Sequence, residues 1–198
     1  MLEPIAPASR GTGEAFRRGF EPGATRRGGT LLNLHAEMAH APIVLAVYLA
    51  IRKATEEHGT FNFATRAAIM LTAASATRGE YAQSMTSMLA RRAGWTDAQV
   101  RSLRAGTPSA DKPLDALLSV VRKASTTAGH VDDITWNLAL DSGWNDAHLA
   151  EAFAYVGVTM FIDHFTNYAN TDDDIPVPPP TRPLRHTTDW PRVPRTQQ

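Results

Sequence analysis

The sequence contains no cysteine. That absence removes disulfides, thiolate metal sites, iron–sulfur clusters and every catalytic mechanism that starts from a thiol. A charge excess is missing too, since 20 Lys and Arg face 20 Asp and Glu and the formal net charge at pH 7 is zero. A polyanion binder carries a basic surplus or stripe, so nucleic acid is not an expected partner. No apolar run approaches the ~18 residues of a membrane span, and the start of the chain has no apolar signal-peptide core; both predict a soluble, cytoplasmic protein with no membrane partner. Gly-x-Gly-x-x-Gly and Walker loops are also missing, which leaves nucleotide binding without support. His35, Glu37 and His40 invite a metal reading, but histidines five positions apart lie roughly 140° apart around a helix and do not converge. No other ligand spacing occurs, and the expectation is no metal and no cofactor.

What is present fits one domain. A chain of 198 residues, 43% hydrophobic and 20% charged, buries roughly 70% of its unfolded surface and needs no staple. Seven of the 13 prolines fall in the last 24 residues, together with Arg182, Arg185, Arg192 and Arg195. Such a stretch favours polyproline II, or an arm that docks through Leu184 and Trp190. Residues 1–29 hold six glycines and five arginines and are also expected to be irregular. The predicted division is an N-terminal arm over 1–29, a helical domain over 30–174 and a Pro/Arg-rich tail over 175–198.

The middle reads as helix throughout. Pro42 opens the apolar run to Ile51, and proline suits a first turn because its missing N–H costs nothing there. Helices are predicted over 63–77, 80–92, 111–128, 132–142 and 146–170, and no window alternates with period two, so the fold class is all-α. An internal repeat supports it. Gly94-Trp-Thr-Asp-Ala-Gln-Val100 returns 49 residues later as Gly143-Trp-Asn-Asp-Ala-His-Leu149. Each copy reads as a helix-to-helix corner: glycine ends one helix, Thr96 or Asn145 caps the next, and Asp97 or Asp146 favours its positive end. Thr96 with Gln99 fits a capping box, and each tryptophan is placed to staple onto Val100 or Leu149. Two similar helical hairpins are implied.

The stretch from Ala74 to Val100, with Glu80-Tyr81 at its centre and Ala90-Arg-Arg-Ala-Gly-Trp-Thr-Asp97 at its end, resembles the signature region of the alkylhydroperoxidase D/carboxymuconolactone decarboxylase superfamily. Thr171-Asp-Asp-Asp-Ile-Pro176 resembles the close of that family's last helix. The resemblance implies a bundle of six to eight helices and a homo-oligomer, a trimer or hexamer. It also locates what is gone. The motif's two cysteines fall on Gly79 and Ala82, its histidine on Thr86, and the upstream glutamate on Ala67. Thiol peroxidase chemistry is excluded, because neither glycine nor alanine can attack a peroxide or resolve the product.

Positions 79, 82, 83 and 86 share one helix face, now small or neutral polar. Either a neighbouring helix packs closely there, or a reshaped pocket persists in which Gln83 and Thr86 bind a substrate. Glu80 and Tyr81 are candidate acid–base groups, and the alternatives are a helix-end charge and a core tyrosine. Arg78 is a candidate carboxylate clamp or a surface charge. His164, beside Asp163 and one turn before Tyr168, is the remaining acid–base candidate, or part of a hydrogen-bonded core network. Two functions follow as expectations. One is a non-redox lyase, isomerase or cyclase acting on a small carboxylated or carbonyl metabolite, with Glu80, Tyr81 and His164 as catalytic groups and Arg78, Gln83 and Thr86 binding substrate. The other is a catalytically silent relative that holds a ligand or partner through the vacated pocket. A cysteine-free antioxidant role has no chemical mechanism to support it.

Overall fold

The computed structural model describes residues 26–27, 30–179 and 181. A two-residue antiparallel ladder, β1 (Arg26–Arg27) with β2 (Thr30–Leu31), leads into eight helices. These are α1 (Asn33–Met38), α2 (Pro42–His58), α3 (Phe63–Thr77), α4 (Glu80–Arg92), α5 (Asp97–Ala105), α6 (Lys112–Thr126), α7 (Asp133–Asp141) and α8 (Asp146–Ala169). The all-α expectation therefore stands, with the short ladder as its one addition among the described residues. None of the described helices is long and apolar enough to cross a membrane. The predicted tail begins on the domain itself, since Ile175 is buried and Arg104 donates to the Pro179 carbonyl at 2.7 Å. Most of the N-terminal arm lies outside the described residues, as do Leu184 and Trp190 of the proposed docking arm.

Helix α3 is the central element, packed by α4, α5, α6 and α8. Its alanines explain why: Ala67, Ala68, Ala73 and Ala74 are fully buried and let four neighbours approach closely, while Ile69 and Leu71 supply volume. The 49-residue repeat extends beyond its corner. The same offset carries Phe63–Thr77 onto Lys112–Thr126 and Arg92 onto Asp141. Gly94 and Gly143 both adopt the left-handed backbone, with φ of 96° and 100°. Capping boxes form at Thr96 with Gln99 and at Asn145 with His148. Trp95 Nε1 donates to the Ala64 carbonyl at 2.9 Å and Trp144 Nε1 to the Pro113 carbonyl at 2.7 Å, each tying a corner to the first turn of an earlier helix. Two apolar cores result. The larger joins α3, α5, α6 and the first half of α8. The smaller gathers Leu34, Tyr48, Tyr81, Ile162 and Ile175 around α1, α2 and the end of α8.

Candidate functional site

The vacated motif face is closed. Ala67, Ala82 and Thr86 expose no surface, and the Thr86 hydroxyl donates to the Ala82 carbonyl at 2.6 Å instead of facing a ligand. Gly79 is buried, and a Cβ there would fall on the Asp163 carboxylate from α8. At the face that the resemblance assigns to the motif, a neighbouring carboxylate and close helix packing thus occupy the space beside Gly79, Ala82 and Thr86. Gln83 is half-buried and turned towards α5, its Oε1 3.5 Å from Arg104 Nη2.

Three of the sequence-predicted residues do meet. Arg78, Glu80 and Tyr81 line a polar cavity of about 330 Å³ between the start of α4 and the end of α8, opposite Asn167, Asp172 and Asp173. Arg78 ends α3 in the left-handed region, with φ of 65°. Three carboxylates against one guanidinium make this space acidic, so it is ill matched to a carboxylated substrate. Tyr81 is committed within it: its hydroxyl donates to Asp174 Oδ1 at 2.8 Å and accepts from the Leu34 amide at 3.4 Å. Burial, then the Asp174 hydrogen bond, raises the phenol's pKa and keeps its proton on. His164 is not brought to this cavity; it lies exposed on the solvent side of α8.

A second space combines features the first lacks. Where the two apolar cores meet, a cleft of about 310 Å³ opens between α1, α2, α3, α4 and α8. Its apolar wall is Met70, Met85 and Met88, three of the chain's six methionines, with Leu89 and Val158. Thioethers are polarizable and flexible, and they adapt to an irregular ligand. Arg52, Arg66 and Arg92 stand in the same lining with Glu56 as the single carboxylate. Arg52 Nη2 pairs with Glu56 at 2.5 Å and Nη1 reaches the Tyr48 hydroxyl at 3.5 Å. Burial works against the Arg52 charge, but Tyr48 and Glu56 outweigh it and hold the pKa above its ordinary value. The Arg66 guanidinium lies 5.9 Å from the Phe63 ring centre, and its Nε is buried without an acceptor.

His35 completes the cleft. It is 1% exposed, and its ring lies 5.4 Å from that of Tyr48. Burial, then the Arg52 charge, lowers its pKa from 6.5 to about 4, against the opposing pull of Asp174. At neutral pH it is therefore an uncharged imidazole that can accept a proton. Sequence reasoning weighed His35 only as a metal ligand and missed Arg52, Arg66 and Arg92, which come from three separate helices. The signal within reach was Met85-Met88-Leu89-Arg92, a stripe at helical spacing on α4 beside the motif face. Among the described residues, no group of three His, Asp or Glu side chains is placed to hold a metal ion.

No protein-family model matches the chain, and no curated protein matches it by sequence. Solved structures do match it. A peroxidase-related protein from Ralstonia eutropha JMP134, described as an alkylhydroperoxidase AhpD core, superposes with a TM-score of 0.67 at 15% identity, over 74% of this chain and 79% of the other. The debrominase Bmp8, solved both alone and with 2,3,4-tribromopyrrole, gives 0.65 at 18% identity over 73% and 78%. A peroxidase-related protein from Silicibacter sp. TM1040 gives 0.63 at 13% identity over 73% and 77%. The chain has the alkylhydroperoxidase D-like fold that the signature region implied. At these identities the likeness is one of backbone architecture.

Proposed function

We propose that this chain is a non-redox enzyme, a lyase, isomerase or cyclase, acting by acid–base chemistry on a small carboxylated or carbonyl metabolite in the arginine–methionine cleft. One observation carries the reading: three guanidiniums, an apolar thioether wall and a neutral buried imidazole share a single space. Arg66 and Arg92 take the carboxylate, the methionines take the carbon skeleton, and His35 is the base. An anion bound there offsets the Arg52 charge, so the imidazole becomes more basic when substrate is present than when the cleft is empty. Glu80 and Tyr81 are not placed in this set, because they face the acidic cavity, and His164 faces solvent. The protein is further proposed to act in the cytoplasm as a trimer or hexamer.

The closed motif face favours a second reading, in which the fold has lost its chemistry and only binds a ligand. Under it, the ligand occupies the arginine–methionine cleft rather than the vacated pocket.

Native mass spectrometry of freshly purified protein, followed by denaturation, tests both. The expected result is an oligomer that releases a small acid, with Arg66→Ala weakening rebinding of that acid about tenfold or more. Turnover of the released acid, lost in His35→Gln, separates enzyme from silent binder. Bare chains whose melting temperature is unmoved by a panel of small aliphatic and aromatic carboxylates would overturn the cleft as the site.

A further inference from the structure

The imidazole of the cleft rides on α1, a helix of only six residues. Helices that short do not persist by themselves, because nucleation costs more than one turn returns. The residue that opens it, Leu32, has no side-chain acceptor for the first-turn amides. Those amides are satisfied from far along the chain. Asp174 Oδ2 accepts from the Asn33 amide at 2.7 Å, and the Tyr81 hydroxyl accepts from the Leu34 amide at 3.4 Å while donating to Asp174 Oδ1 at 2.8 Å. The Asn33 side chain donates to the Asp172 carbonyl at 3.0 Å, and Ile175, buried in the smaller core, seats the segment from behind.

We infer that Tyr81 and Asp174 are positioning residues for His35: their hydroxyl–carboxylate pair caps the first turn of α1 and so fixes the imidazole in the cleft against Tyr48. Tyr81, at the centre of the signature region, and Asp174, in the segment that resembles the close of the family's last helix, then act through His35, which lies in neither stretch. The importance of this positioning rests on the cleft being the site. The positioning itself is measurable with no ligand at all.

Among the described groups, Arg52 from α2 lowers the His35 pKa and Asp174 raises it. They give the test a sign. Removing the Asp174 charge by electrostatics alone takes away an anion that favours protonation, so the imidazole pKa falls further. Loosening α1 admits water, so the pKa rises towards its ordinary value. The experiment is an NMR titration of the imidazole resonances in the full chain, with His35 assigned by its loss in His35→Gln. Wild type should titrate near 4. Tyr81→Phe and Asp174→Asn should each raise the midpoint by about one unit or more, with the tryptophan indole signals keeping their native dispersion. A Tyr81→Phe midpoint equal to wild type, or a fall in Asp174→Asn, overturns the inference. If Asp174→Asn does not fold, Tyr81→Phe decides alone, since it removes one hydroxyl and no charge. A shift in Tyr81→Phe, together with bare chains whose melting temperature no carboxylate moves, would leave the positioning standing and remove the cleft function.

Discussion

At position 79 a carboxylate fills the space that any side chain would need. Gly79 has an ordinary φ of −67°, so its role is not conformational; it leaves room for Asp163, which packs buried against the start of α4 and whose Oδ1 accepts from the Asn167 side-chain Nδ2 at 3.2 Å. Gly79→Ala should therefore destabilise by about 1–3 kcal/mol through overpacking. The cost should shrink in the Gly79→Ala/Asp163→Gly pair, a coupling that urea unfolding of the four proteins measures directly. Equal and additive costs would mean that the two positions do not compete for space. His35 makes a second residue-scale prediction. Its pKa is lowered in the folded state, so protonation favours the unfolded chain. Its contribution to stability is full above 6.5 and is lost as pH falls through about 4. The size is about 3 kcal/mol over that window. Between pH 7 and 4.5, His35→Gln should lose less stability than wild type. Parallel losses would show that the imidazole titrates normally.

Among the elements, the two corners argue from sequence most openly. Glycine, cap and acid stand at fixed places in each copy, and the structure shows the left-handed glycine, the capping box and the tryptophan tie in both. The Trp95 and Trp144 indoles reach carbonyls that lie the same distance back along the chain, a long-range relation that the local motif does not contain. Thr96→Ala should cost about 1 kcal/mol, and Asn145→Ala a similar amount, by loss of the cap acceptor. Thermal unfolding of both variants checks this, and a negligible effect in either would show that the packed tryptophan alone sets that corner. Helix α1 is the opposite case. It has no cap of its own and no long apolar period, so it was not legible in the sequence; its first residue, Asn33, is held by Asp172 and Asp174, more than a hundred positions away. Helix α2 is legible as a helix, but its apolar run predicts deeper burial than it has. Only Tyr48 is buried, while Ile43 is 70% exposed.

For the whole molecule, the proposed trimer or hexamer would have the exposed apolar positions Ile43, Val47, Ile134 and Phe153 available to bury. A trimer or hexamer should appear in light scattering after size exclusion, and a strict monomer at micromolar concentration would count against it. The candidate site is itself a property of the whole. Its lining draws on five helices, and no two of its arginines stand within ten residues of each other in the chain. Only the α4 stripe of Met85, Met88, Leu89 and Arg92 has a spacing that a sequence reading can find; Arg52, Arg66 and His35 come from other helices with no shared period.

What the sequence determined by itself is what depends on local chemistry and on residue identity. Helices follow from composition and caps, the paired corners from a repeated glycine and its neighbours, and the exclusion of thiol chemistry from the lack of any cysteine. Whether the vacated face stays open was not of that kind. It depended on Asp163 reaching Gly79 from a helix 84 positions later, and on four elements closing around the alanines of α3. The tertiary structure also decided that Tyr81 faces Asp174 and that His35 is dry. Burial and hydrogen-bond partners are set by which distant segments come together, and it is those, not the residue type, that fix whether a side chain reacts or supports.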